Sequence, residues 1–163
     1  MPLKFTAPFR STPMSIRPEW IDYNGHLNMA YYNALMDQGV DQIWEKLGIG
    51  PQYREKTGNT TFSAEYHIHY VREIHLDAPV VATFQLLDFD EKRFHFCQEL
   101  LHADEGWVSA RGEGMGLHID TSGPRVAPMP PEILANFQAL SDAHSALPHP
   151  EWVGKPMGIR RKS

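Results

Sequence analysis

The stretch IDYNGHLNMAYY, residues 21–32, concentrates side chains that can do chemistry. It follows the pattern D-x-x-G-H-x-N-x-x-Y, formed by Asp22, Gly25, His26, Asn28 and Tyr31. A carboxylate such as Asp22 can activate water as a general base or attack a carbonyl carbon as a nucleophile. Free backbone N–H groups at a helix start can stabilise the negative charge that then grows on the carbonyl oxygen. The stretch therefore predicts attack on a carbonyl group beside a helix start.

A helix is predicted to begin just after this motif. From Met29 to Leu47, apolar residues recur at spacings of three and four; they are Tyr32, Leu35, Met36, Val40, Ile43, Trp44 and Leu47. Asn28 is placed to act as the N-cap and Gly48 to end the helix. We therefore expect the backbone N–H near Asn28 or Met29 to donate to a substrate carbonyl. Gly25 would let the backbone approach closely or adopt a positive φ.

Each motif residue also has a structural interpretation, and the sequence leaves both open. Asp22 can form a turn by accepting a hydrogen bond from the backbone two residues on. Asn28 can serve as an N-cap alone. His26 can be a structural hydrogen-bond partner, and Tyr31 a packed aromatic ring.

Downstream of this helix the chain is predicted to form antiparallel strands without helical crossovers. Residues 48–60 are predicted to be a loop or a short helical turn, and strands follow at 61–74, 78–89, 92–103 and 107–120. A short strand at 14–18 and a helix at 131–140 complete the elements. We therefore predict an α+β fold, in which an antiparallel sheet of about five strands wraps around one long central helix.

Small residues occupy every second position of the last strand, at Ala110, Gly112, Gly114 and Gly116. Glycine inside a strand usually marks a bulge, a bend or the close approach of another segment. We expect the sheet to curl tightly at this row, with the central helix as the close neighbour.

Length and composition indicate a single domain over residues 1–163, with a core at about 12–140 and a C-terminal extension at 141–163 that is surface-laid or poorly ordered. The formal net charge of −5 argues against nucleic-acid binding. No segment approaches the roughly 20 apolar residues of a membrane span, and no signal-peptide core is evident, so we expect no membrane association and a cytoplasmic protein. The one cysteine, Cys97, is predicted to be an inert buried thiol.

Two further groups of polar residues are candidates for a site. Asp37, Asp41 and Glu45 lie four apart, either as a solvated stripe or as part of an active site or subunit interface. Histidines 67 and 69 share one strand face, and a metal site would need histidine 95 as a third ligand in register. We expect no metal.

The run RPEWIDYNGHLNMAYYNALMDQ (17–38) and the closing run WVSARGEGMGLHIDTSGPRVAPMPPEI (107–133) resemble the 4-hydroxybenzoyl-CoA thioesterase-like branch of the hotdog-fold superfamily. The resemblance covers about residues 12–140 and includes the order of motif, helix and strands. The motif is weakly specific alone and gains specificity from that order. The run TGNTTFSAEYHIHYVRE (57–73) is also similar to the carnitine-catabolism thioesterases that act on betainyl-CoA.

This resemblance implies an acyl-CoA thioesterase that needs no cofactor and hydrolyses betainyl-CoA or another small or medium acyl-CoA to free acid and CoA. It implies Asp22 as the catalytic carboxylate, either as general base or as nucleophile. The residues that would position the thioester and its oxyanion are Gly25, His26, Asn28, Met29 and Tyr31. Some relatives carry the working carboxylate on the helix or an adjacent strand, which keeps Asp37 and Glu65 in reserve. The family also implies a homodimer or homotetramer with active sites at the subunit boundary.

Two other functions stay open: a hotdog-fold hydratase or dehydratase acting on CoA thioesters, and a non-catalytic acyl-CoA-binding protein. The acyl group is open as well. Aromatic residues near the motif can wall an apolar pocket, cage a trimethylammonium group by cation–π contact, or pack in the core; they are Trp20, Tyr23, Tyr31 and Tyr32. The cations available for the CoA phosphates are Arg72, Lys92, Arg93, Arg160, Arg161 and Lys162.

Overall fold

An antiparallel sheet curves round one long helix in the computed structural model, which describes residues 3–162. The helices are α1 (Met29–Leu47), α2 (Pro51–Thr57) and α3 (Pro131–His144), and a 3-10 turn spans Pro18–Trp20. The strands are β1 (Phe9–Arg10), β2 (Asn59–Tyr70), β3 (Val80–Phe89), β4 (Arg93–His102), β5 (Val108–Asp120) and β6 (Arg125–Val126). The strand order is β1-β3-β4-β5-β2, with β6 beside β5. The predicted α+β class is confirmed.

One detail of the predicted sheet was wrong. The sheet of about five strands is confirmed and has six, because the two-residue strands β1 and β6 extend it. The strand predicted at 14–18 does not form: Met14 makes only an isolated bridge to Val80, and Pro18 begins the 3-10 turn. Proline fixes φ and has no N–H to give to a strand ladder, so the chain turns there. The first strand lies earlier, at Phe9–Arg10.

Helix α1 begins and ends where the sequence pattern predicts. The Asn28 side chain accepts a hydrogen bond from the Ala30 N–H at 3.0 Å, which makes it the N-cap. Gly48 ends the helix at φ +79°. At Gly39 the helix lies so close to the sheet that an added Cβ would be 2.6 Å from the Ala82 Cβ. This contact holds α1 directly on β3.

The small residues of β5 make room mainly for aromatic rings. A Cβ at Gly114 would collide with the Phe96 ring, and one at Gly116 with the Phe94 ring; both rings come from the neighbouring strand β4. Only at Gly112 does α1 contribute a near atom. The expectation that the central helix is the close neighbour was therefore wrong for most of the row, because cross-strand rings fill the space first.

Strand β2 forms one edge of the sheet and borders both clefts described below. It is 12 residues long, and within residues 3–162 it pairs with β5 alone. A register shift lies between Ser63 and Glu65. Exposed apolar side chains follow this edge and the start of α1; they are Met29, Phe62, Tyr70 and Val71. An edge strand with exposed apolar neighbours favours association with another chain.

The C-terminal segment lies against the outer face of the sheet. The Gly154 N–H donates to the Glu113 carboxylate at 2.7 Å, and the Trp152 ring packs edge-on to His69. Burial raises the pKa of Glu113, but the hydrogen bonds from Gly154 and His95 outweigh it and hold that pKa below its usual value. Cys97 is buried, as predicted, and burial raises its pKa to about 12. Among residues 3–162, no helix combines the length and apolar character needed to cross a membrane.

Candidate active site

The motif folds into a tight loop closed by an isolated bridge between Ile21 and Leu27. The Asp22 carboxylate accepts the Asn24 N–H at 2.8 Å through Oδ1, and the Gly25 N–H donates to the Asp22 carbonyl at 3.0 Å. Gly25 adopts φ +80°, and an added Cβ would meet nothing within 4 Å. Glycine is therefore favoured here by the backbone conformation and not by steric crowding. Asp22 therefore does form a turn, and within the described residues its Oδ2 accepts no hydrogen bond.

Hydrogen bonds from neighbouring and distant segments fix this loop in place. The buried Leu27 donates its N–H to the Ile74 carbonyl at 2.9 Å, and Asn28 donates to the Trp20 carbonyl at 2.9 Å. His75 Nδ1 lies 3.1 Å from the Gly25 carbonyl oxygen. Sequence reasoning missed Ile74 and His75, because they lie about 50 residues away and no local pattern singles them out.

The start of α1 leaves a backbone donor free beside the loop. The Asn28 side chain takes the Ala30 N–H, and the Asn28 carbonyl takes the Tyr31 N–H at 3.0 Å. The Met29 N–H donates to no acceptor within the part of the chain that the structure describes. Tyr70 holds this turn from the sheet by donating its hydroxyl to the Met29 carbonyl at 2.9 Å. The N-cap thus satisfies one donor and leaves the Met29 N–H available.

A cleft of about 450 Å³ opens between this loop, the start of α1 and the end of β2; we call it the motif cleft. Its lining includes Asp22, His26, Asn28, Met29, Tyr70 and Arg72. Burial raises the pKa of the Tyr70 phenol, which therefore stays protonated as a donor. A carboxylate and a free helix N–H facing one cleft can activate a nucleophile and stabilise an oxyanion.

The structure brings most of the predicted motif residues to the motif cleft, but not all of them. His26 lines the cleft and its Nδ1 lies 3.2 Å from the Leu27 carbonyl oxygen. Tyr31 instead stacks on the Trp20 ring, with centroids 5.3 Å apart, and Gly25 contributes only its backbone conformation. Tyr70, which sequence reasoning did not single out, occupies the cleft wall in its place.

The reserve carboxylates lie elsewhere. Glu65 is exposed on β2 and pairs with His67 at 2.9 Å. Asp37 lies in a second cleft of about 440 Å³ between the middle of α1 and the first half of β2, which we call the α1–β2 cleft. Its walls also include Asp41, Trp44 and Tyr66. Burial, followed by the nearby Asp41 charge, raises the pKa of Asp37.

The histidines weighed as metal ligands each have another partner. His95 Nε2 lies 2.8 Å from the Glu113 carboxylate, His67 pairs with Glu65, and His69 packs against Trp152. The described residues contain no group of three or more His, Cys, Asp or Glu side chains that could hold a metal ion. That the protein works without metal or cofactor stays a prediction.

The cations proposed for CoA binding do not converge. Arg72 alone reaches the motif cleft, where its guanidinium lies 3.9 Å from the centroid of the Trp107 ring. Lys92 and Arg93 lie at the β3–β4 turn and pair with the neighbouring acids Glu91 and Asp90. Arg160, Arg161 and Lys162 are exposed at the C-terminus.

Comparison with known proteins identifies the relatives of this arrangement. Residues 16–137 match the family model described as the thioesterase-like superfamily. The chain is 39% identical over 144 residues to a betainyl-CoA thioesterase of Pseudomonas aeruginosa, covering 88% of this chain and 91% of that protein. It is 31% identical to an L-carnitine dehydrogenase/betainyl-CoA thioesterase of Rhizobium meliloti, covering 98% of this chain but only 32% of that protein.

A solved structure supports the same fold. A Staphylococcus aureus protein in complex with CoA superposes with a TM-score of 0.83 at 24% identity, covering 96% of this chain and 98% of that one. The predicted hotdog arrangement, a sheet wrapped round a central helix, is confirmed.

Proposed function

The chain belongs to the thioesterase-like superfamily and is an acyl-CoA thioesterase, and on that premise we propose that its substrate is betainyl-CoA and that Asp22 is its catalytic carboxylate. The observation that carries the assignment of Asp22 is the motif cleft, whose lining includes both Asp22 and Met29, the residue with the free backbone N–H. The substrate assignment is supported by the identity of 39% to a betainyl-CoA thioesterase across nearly the whole chain.

In the proposed reaction, water attacks the thioester carbonyl carbon and Asp22 accepts a proton from it. The Met29 N–H donates to the carbonyl oxygen as negative charge develops there, aided by the positive end of the α1 dipole. The C–S bond then breaks, the proton passes to the leaving thiolate, and betaine and CoA are released. Direct attack by Asp22, followed by hydrolysis of the resulting anhydride, uses the same residues.

Tyr70 and His75 would act as positioning residues. Tyr70 fixes the Met29 carbonyl, which keeps the first turn of α1 in register with the loop. His75 lies against the Gly25 carbonyl and holds the loop from the opposite side. Neither residue needs to touch the reacting atoms. A displacement of the loop alone would move the Asp22 carboxylate relative to the Met29 N–H that donates to the substrate carbonyl.

A homodimer joined through the β2 edges is part of the proposal. β2 is a long edge strand with exposed apolar residues beside it, and pairing it with a second copy would cover both. In a two-fold antiparallel pairing, the first half of β2 faces the second half of the other copy. The motif cleft of one subunit would then adjoin the α1–β2 cleft of the other, and a homotetramer could be built from two such dimers.

The test is CoA release from betainyl-CoA and from short-chain, medium-chain, long-chain and aryl thioesters. We expect turnover of betainyl-CoA, and a loss of at least about a hundredfold in kcat for Asp22→Asn, as for removal of a general base. Asp104→Asn, which changes an exposed turn acid outside both clefts, is the matched control and should match wild type.

Other results would favour the alternatives. Binding of CoA esters without thiol release from any of them would indicate a binding protein, and water addition to an enoyl-CoA would indicate a hydratase. Full activity of Asp22→Asn would remove Asp22 from the mechanism while leaving the thioesterase assignment in place.

A further inference from the structure

The α1–β2 cleft carries two carboxylates that thioester hydrolysis at Asp22 does not use. Asp37 and Asp41 lie one helical turn apart on α1 and both line this cleft of about 440 Å³. Both side chains are exposed at the mouth of the cleft. Like charges at this spacing repel each other, and partial desolvation followed by the Asp41 charge raises the pKa of Asp37.

Within residues 3–162 neither carboxylate has a cationic partner. No ion pair and no side-chain hydrogen bond involves Asp37 or Asp41, although eight other acids make ion pairs with basic side chains or histidines. Arg54 of α2 is the one cation in the cleft lining, and it lies more than 4.0 Å from either carboxylate. The cleft therefore presents negative charge that the described chain leaves without an ion pair.

Part of the cleft wall is aromatic, and its hydrogen-bond donors are already used. The aromatic lining residues are Trp44, Phe62, Tyr66, Phe94 and Phe96, of which Trp44, Phe94 and Phe96 are largely buried. The Trp44 Nε1–H donates to Thr61 at 3.0 Å, and the Tyr66 hydroxyl donates to the buried Gln98 at 2.9 Å. Aromatic faces with nearby carboxylates attract a cation, and a quaternary ammonium makes no demand for hydrogen bonds. This combination suits a trimethylammonium group better than a primary ammonium or an anion.

We propose that the α1–β2 cleft binds the trimethylammonium group of the substrate, with Asp37 and Asp41 as the residues that select a cationic acyl group. The inference rests on the proposed betainyl-CoA thioesterase activity and deepens it.

The distance between the clefts decides which copy supplies the cation site. Met29 and Asp37 are eight residues apart on α1, about 12 Å along the helix axis. The betainyl group has a single methylene between its carbonyl carbon and its nitrogen, so it cannot bridge that distance within one chain. The proposed two-fold pairing through β2 would remove the difficulty, because the cation cleft beside each Asp22 would then belong to the second copy.

The experiment compares betainyl-CoA with 3,3-dimethylbutyryl-CoA, in which a carbon replaces the charged nitrogen at almost the same shape. We measure kcat/KM on both thioesters for wild type, Asp37→Asn, Asp41→Asn and the double variant. Each single change should lower kcat/KM for betainyl-CoA about tenfold and leave that for the neutral thioester within about twofold. Glu45→Gln, which removes the same charge from α1 outside this cleft, is the control and should change neither value.

A second readout separates binding from chemistry. In the Asp22→Asn background, in which turnover is expected to be at least about a hundredfold slower, calorimetric titration gives Kd for both thioesters. Adding Asp37→Asn should weaken betainyl-CoA binding about tenfold and leave the neutral thioester unchanged.

The outcomes test the cation site and the proposed betainyl-CoA thioesterase activity separately. Equal losses on both thioesters, or no loss on betainyl-CoA in the double variant, would overturn the cation site while the thioesterase activity stands. Absence of thiol release from every thioester would overturn the proposed activity, and the calorimetric comparison would still decide whether the cleft selects the cation.

Discussion

At the scale of the residue, Asp22 would combine two roles that the sequence presents as alternatives. Its Oδ1 shapes the loop by accepting the Asn24 N–H, while its Oδ2, which accepts no hydrogen bond within the described residues, would serve the proposed chemistry. The short turn thereby restrains the carboxylate of a residue that lines the cleft. A side chain fixed in this way loses little freedom when substrate binds, which is the preorganisation that catalysis requires.

Asn28 is the residue at which capping and ligand binding can be separated. Asn28→Ala removes the bond to the Ala30 N–H and should lower the free energy of unfolding by about 1 kcal/mol. Asn28→Ser should restore most of that stability, because serine is an equally good cap. The measurement is urea unfolding alongside kcat/KM for betainyl-CoA.

The two variants together assign the role. Activity that recovers with stability in Asn28→Ser means that Asn28 acts through the helix start. Activity that stays low in the stable serine variant means that the amide itself contacts the substrate.

Local signals explain which residues could be read from the sequence. Asp22, Gly25 and Asn28 are marked by spacing to one another and to the helix start. Tyr70 and His75 could not be found in that way, because their contacts to Met29 and Gly25 bridge 41 and 50 residues. Whether the Met29 N–H has a hydrogen-bond acceptor likewise could not be predicted, because it depends on which carbonyl groups the fold brings near.

At the scale of the element, the bounds of the helix α1 could be predicted from local sequence, whereas strand pairing and the neighbours of a strand could not. The bounds of α1 follow from apolar spacing, an asparagine cap and a terminal glycine, all of which lie in one contiguous stretch. The strand at 14–18 was wrong because apolar residues alone do not show whether a partner strand continues beside them. The glycine row of β5 was correctly interpreted as a place of close approach. The sequence does not show which distant segment, helix α1 or strand β4, makes that approach.

Helix α3 is held on the sheet by a neutral histidine, and this gives a dependence of stability on pH. The buried His144 accepts the Leu86 N–H at Nδ1, 3.0 Å away, and its Nε2 lies 3.0 Å from the Thr6 carbonyl oxygen. Burial lowers the pKa of His144, against the opposing effect of the Thr6 bond. The neutral ring is therefore favoured in the folded state. Its contribution to the free energy of unfolding is fully present above the pKa of histidine in the unfolded chain, about 6.5.

As pH falls below about 6.5, the unfolded chain takes up a proton that folded His144 resists, so stability falls. We expect the loss of unfolding free energy between about pH 8 and pH 5.5 to be smaller in His144→Gln than in wild type. Glutamine can still accept and donate, so the variant should fold. Identical pH dependence in the two proteins, measured by urea unfolding, would mean that other groups carry the acid sensitivity.

At the scale of the whole molecule, a site shared between two copies makes a prediction that a site within one chain does not. Asp22→Asn and Asp37→Asn damage opposite halves of each proposed site. After subunit exchange, a hybrid dimer has one site with both residues intact and one with neither. Equal mixing should therefore restore betainyl-CoA hydrolysis to roughly a quarter of wild type, since about half of the dimers are hybrids.

If Asp22 and Asp37 instead served the same site from one chain, mixing would give no more than the average of the two parent activities. The control is a mixture of Asp104→Asn with wild type, which should stay fully active before and after exchange. The homodimer, the homotetramer and the cytoplasmic location are predictions, and subunit exchange tests the first of them.

The uncovered β2 edge has one consequence for how the enzyme must be handled. Because a complete site would need two chains, specific activity should fall when the protein is diluted below the dissociation constant of the dimer. Progress curves in dilute assays would then slow with time as dimers dissociate after dilution, and a carrier protein would not abolish this loss. The same dependence would hold in the cell. At concentrations below the dissociation constant of the dimer, doubling the amount of protein would more than double the rate of hydrolysis.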